Sequence, residues 1–132
     1  MNVKLKDSLQ NLRKANASLH AAISYTPRSD LIISAIIKNF EFNFELSWKA
    51  MKRLLEHHGI PTSSPRQAIA EGYRKRFIEN ETAWLNMIED RNLTVHTYDD
   101  NLAREMTQRI EKTYLTSFDE FLKRLNTEVA VP

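Results

Sequence analysis

Cysteine is absent from the 132 residues, which excludes a disulfide framework, a thiolate zinc site and a cysteine nucleophile. A chain of this kind suits the reducing cytosol. Glycine occurs twice and proline four times, and the prolines fall between periodic segments, which favours long helices over a turn-rich β architecture. No apolar run approaches the roughly 18 residues of a membrane span, and MNVKLKDSLQ lacks the unbroken apolar centre of a signal peptide. The expectation is a cytoplasmic protein with no membrane association. An excess of one charge is also lacking: 19 Lys+Arg against 17 Asp+Glu leave +2, too little to bind nucleic acid through overall charge. Any RNA contact must be local. The length fits one domain over residues 1–132, able to bury roughly two thirds of its unfolded surface without a metal or disulfide staple.

What is present is helical periodicity. Leu5, Leu9, Leu12, Asn16, Leu19 and Ile23 recur at steps of three and four, predicting a first helix over 3–24. Ile33, Ile37, Phe40, Phe44, Trp48, Met51 and Leu55 repeat the pattern for about six turns, with His57, His58, Gly59 and Pro61 as its stop. Ser64-Pro65-Arg66-Gln67 reads as a capped start for a short third helix to about Phe77. Asn80 caps a fourth segment in which Trp84, Ile88, Arg91, Val95 and Tyr98 form one stripe. Asp99, Asp100 and Asn101 can cap a last helix that buries Leu102, Met106, Ile110, Tyr114, Phe118, Phe121 and Leu125, with a frayed tail from Thr127. The expected fold is all-α, an antiparallel up-and-down bundle of four long helices and one short one.

Arg91 stands on a packing stripe where an apolar residue belongs, so the stripe must meet a cleft or an interface. Metal-free RNA cleavage needs a base for the ribose 2′-hydroxyl, an acid for the leaving oxygen and fixed positive charge for the phosphate. Histidine near its reference pKa of about 6.5 moves protons, and guanidinium grips phosphate through a planar fork. His96 and Arg91 are the candidates. Five positions place them roughly 140° apart on a regular helix, so either the helix distorts near Val95 or a two-fold-related second copy completes the site. We favour the dimer.

The segment Arg91-Asn92-Leu93-Thr94-Val95-His96-Thr97-Tyr98 resembles the R-x4-H-x-Y signature of HEPN-domain proteins, specifically the HepT toxins. With the Arg, His and Tyr content of this chain, chance agreement is about one per cent. The stretches Ile36–Phe42, Glu45–Lys49 and Glu89–Asn92 are similar to nucleotidyltransferase substrate-binding proteins, a branch of the same superfamily. The resemblance implies a homodimer with both motifs in one cleft and a small nucleotidyltransferase encoded beside it as antitoxin. It implies metal-independent RNA cleavage by Arg91 and His96, with Asn92 orienting the histidine or the phosphate. Tyr98 corresponds to the tyrosine that receives adenylyl groups, which would load bulk and negative charge into a phosphate site. No metal and no cofactor are expected.

A plainer reading pairs Arg91 with Glu41 or Glu45, makes His96 a helix-end histidine and packs Tyr98 in the bundle. Arg66, Arg74, Lys75 and Arg76 could hold an RNA backbone, although a solvated charged face explains them as well. Two functions stay open: a ribonuclease toxin, or a non-catalytic subunit that binds substrate for a separate nucleotidyltransferase.

Overall fold

The computed structural model describes residues 3–131. α1 (Val3–Ser24) leads to α2 (Asp30–His57), α3 (Pro65–Arg74) and α4 (Glu81–Leu93). A 3-10 turn over Thr94–His96 follows, and then α5 (Asp100–Arg109), a π-helical turn (Ile110–Tyr114) and α6 (Leu115–Ala130) run on as one rod. No strand occurs among the described residues. The fold is the expected all-α bundle, and among the described residues no helix is long and apolar enough to cross a membrane.

The helix starts are written in side chains. Ser29, Ser64, Asn80 and Asp99 each accept hydrogen bonds from backbone N–H groups of the following first turn, which satisfies donors that a helix leaves orphaned. Gln67 reaches back to the N–H of Ser63, one residue before the cap. α2 ends at His57, and Gly59 takes φ +81° just beyond it, a backbone conformation glycine adopts without penalty. α3 stops at Arg74, short of the expected Phe77. Arg76 turns left-handed at φ 62°, and the N–H groups of Arg76 and Phe77 close back onto Tyr73 and Gly72. The other glycine, Gly72, lets α3 lie on α2, since a Cβ there would meet the Met51 sulfur at 2.5 Å.

α1 packs along α2 and α6, while α2 also touches α3, α4 and α5. Phe40, Phe44, Trp84, Tyr114, Phe118 and Phe121 are fully buried at the centre. Phe40 stacks on Tyr114 at 5.4 Å between centroids, and Trp84 meets Phe118 edge-on at 5.6 Å, arrangements that suit the aromatic quadrupole. Leu9, Leu12, Ile37, Phe40, Phe44, Ile88, Ile110 and Phe118 are buried as anticipated. Trp48 is only partly so, because its indole N–H leaves the core to donate to Glu45 Oε2 at 3.1 Å. Leu102 is likewise only partly buried. The tail from Thr127 is helical to Ala130, held by a buried Val129.

Candidate functional site

The fourth stripe breaks where the chemistry was placed. α4 ends at Leu93, so Val95 and Tyr98 lie outside the helix and are 73% and 82% exposed. The single helical stripe running from Trp84 through Tyr98 is therefore corrected. Threonine is the physical cause. Thr94 donates its hydroxyl to the Arg91 carbonyl at 2.7 Å and Thr97 donates to the Thr94 carbonyl at 2.8 Å. Such local bonds offer the backbone an alternative to the next helical turn, and Asp99 then caps α5. The distortion near Val95 is thus present.

Arg91 stays on the last turn of α4, about one third exposed. Its Nη1 donates to Glu45 Oε1 at 2.5 Å, and its guanidinium lies 5.4 Å from the centroid of the buried Phe44 ring. The Glu45 pairing of the plainer reading is realised, with Glu45 Oε2 held in turn by Trp48. Packing of Tyr98 in the bundle is not. His96 ends the 3-10 turn, exposed, with its ring 6.0 Å from that of Tyr98 in an edge-on arrangement. Asn92 is exposed as well. The structure thus joins Arg91 to Glu45 and His96 to Tyr98, with Asn92 beside Arg91 in sequence.

Under this surface lies a cluster that sequence reasoning passed over. Asp90 is 3% exposed and receives both Arg109 Nε, at 2.8 Å, and Arg109 Nη2, at 2.7 Å. The Tyr114 hydroxyl donates to Asp90 Oδ2 at 2.5 Å. Burial, and then the hydrogen bond to Asp90, push the Tyr114 phenol well above its ordinary range. The Asp90 hydrogen bond raises Arg109. The π turn brings them together: five residues span about 140° on an α-helix, but an i→i+5 turn sets Arg109 and Tyr114 one above the other. Sequence periodicity carries no mark of such a turn. Among the described residues no three His, Asp or Glu side chains gather as a divalent cation would need.

The family model for proteins like the nucleotidyltransferase substrate-binding proteins matches residues 7–127. The chain belongs to that family. The resemblance to HepT-like HEPN proteins is borne out alongside it. A probable ribonuclease HepT of Haemophilus influenzae is 32% identical over 93 residues, 67% of this chain. The chain spans 64% of that curated relative's length. A Haemophilus influenzae structure described as the fold of a substrate-binding domain of a nucleotidyltransferase is 28% identical, with TM-score 0.80 over 89% of this chain and 98% of the other. A tri-AMPylated Shewanella oneidensis HEPN toxin in complex with MNT antitoxin gives TM-score 0.78 over 96% and 99% of the two chains. At 14% identity that likeness concerns the fold alone.

Proposed function

We propose that this chain, one domain over 1–132, is a HepT-like toxin: a cytoplasmic, metal-independent endoribonuclease held in check by a small partner nucleotidyltransferase. The observation that carries the proposal is the complete Arg91, His96, Tyr98 set at one helix end, with His96 and Tyr98 in solvent and Arg91 part-exposed. His96 would take the ribose 2′-hydroxyl proton as the 2′-oxygen attacks phosphorus. The 5′-oxygen then leaves, protonated by the second copy's imidazole, and a cyclic phosphate remains. Arg91 commits one N–H to Glu45, so the rest of its planar fork is left for the crowded phosphate. Asn92 orients that phosphate or the histidine. Two copies related by a two-fold axis bring both motifs to one groove.

Purified protein incubated with total RNA tests this directly. Cleavage that persists in EDTA and disappears in His96→Ala and Arg91→Ala, with helicity unchanged, is the expected result; dependence on added magnesium would sink the mechanism. The partner nucleotidyltransferase with ATP and magnesium should adenylylate Tyr98, and Tyr98→Phe should take no label. A second reading, a non-catalytic substrate-binding subunit for the same partner, is favoured by the family's description and by the Haemophilus influenzae fold. Growth inhibition on expressing the chain alone separates the two, since a subunit without a site of its own has no means to inhibit.

A further inference from the structure

Arg76 is out of place by ordinary backbone chemistry. It occupies the residue after the C-cap of α3 with φ 62°, a left-handed position that helix ends usually fill with glycine because a side chain there is strained. Strain of this kind persists where the surroundings over-determine it and clusters at binding sites. Among the described residues the side chains of Arg76 and its neighbour Lys75 form no ion pair. Arg76 lines a cavity of about 530 Å³ together with Tyr73, Arg74, Ile78 and Glu79. Tyr73 is 46% exposed there, a large aromatic surface left to water beside three consecutive cations. Arg76 also borders a second cavity of about 350 Å³, whose far wall carries Lys123 and Arg124 from α6.

We infer that the end of α3 is a second RNA contact, in which Arg76 and Arg74 hold phosphate and Tyr73 stacks on a base of a single strand. An exposed ring flanked by cations is the combination single-stranded nucleic acid uses, since every base has a π face and every linkage a charge. Glu71 lies 3.8 Å from Arg74 and offsets part of its charge, while Lys75 and Arg76 keep theirs. Glu79 lines both cavities and faces Glu120 in the second, and the bond between the two carboxyls holds Glu120 above the usual carboxylate range. Helix-dipole complementarity explains Arg74 and Lys75 at a helix end. It does not explain paying left-handed strain at Arg76 or exposing Tyr73.

Position separates this contact from the motif. Arg66 at the start of α3 lies 4.0 Å from Glu89 at the end of α4, so the end of α3 sits toward the start of α4. From Glu81 at the start of α4 to Arg91 the helix rises about 15 Å. A strand cut at the motif would be gripped again at the far end of α4. The inference shares with the proposed function the premise that RNA is the ligand.

The test is fluorescence anisotropy with a labelled oligouridylate carrying 2′-O-methyl riboses, which binds without being cut. Arg76→Gly should weaken binding several-fold and lower the slope of log affinity against log salt by about one, while its melting temperature holds or rises because glycine accepts the left-handed turn. Tyr73→Leu, which keeps apolar bulk, should weaken binding with the salt slope unchanged. Affinity equal to wild type in both variants overturns the inference. So does unchanged RNA affinity with loss of binding to the partner nucleotidyltransferase, which would give the patch to a protein instead. Wild-type binding without any cleavage of ordinary RNA would leave this contact standing and remove the ribonuclease reading alone.

Discussion

The Arg91 guanidinium is about one third exposed and so is Glu45, its partner at 2.5 Å, so water screens the pair and its contribution to stability is small. Arg91→Ala should cost under about 1 kcal/mol, seen as a melting shift of a few degrees with unchanged helical circular dichroism. That small cost is what makes lost cleavage in this variant interpretable as chemistry. Phe44 beneath it differs in kind. Fully buried, it should cost about 3–5 kcal/mol as Phe44→Ala, and a negligible change in denaturant midpoint would contradict its place in the core. Arg91, His96 and Tyr98 were legible because histidine and tyrosine, four of each in the chain, seldom fall at that spacing from an arginine. Asp90 and Arg109 were missed as a pair because a charged residue beside a motif looks like solvated surface until burial is known.

At the scale of elements, caps were legible and interruptions were not. Ser64, Asn80 and Asp99 act as starts because a short polar side chain satisfies first-turn N–H groups wherever it occurs. The end of α4 at Leu93 and the π turn at Ile110–Tyr114 depend on threonine rotamers and on a buried carboxylate 24 residues before Tyr114. Removing that hydroxyl tests the π turn. Tyr114→Phe leaves Asp90 with Arg109 alone and should cost about 1–3 kcal/mol. The phenol's folded pKa is raised above its ordinary 10.0, so the proton is held more tightly in the folded state. The associated stability is full below pH 10 and declines as pH rises past it, when only the unfolded chain ionises. Tyr114→Phe should flatten that alkaline decline in urea melts between neutral and strongly basic pH. An unchanged alkaline limb would place the effect elsewhere.

At the scale of the whole molecule, His96, Tyr98 and Val95 project from one end of α4 into solvent. The proposed site, so open to water, would gain a dry, charged environment when a second copy closed over it. The proposed two-fold dimer should therefore sediment as one species at micromolar concentration, with a charge introduced into the apolar contact, as in Val95→Asp, shifting it toward monomer; a monomer throughout would count against the composite site. The sequence by itself determined the helices, their faces and the residue set Arg91, His96 and Tyr98, because periodicity, caps and side-chain chemistry are local properties of the chain. Only the tertiary structure decided that Arg91 meets Glu45, that Asp90 is locked by Arg109 and Tyr114, and that α4 stops short of His96. The first two depend on groups from distant segments meeting in a low-dielectric interior or at its edge, and no local pattern encodes which distant partner arrives; the stop of α4 rests on the rotamers of Thr94 and Thr97, whose hydroxyls donate to backbone carbonyls three residues back.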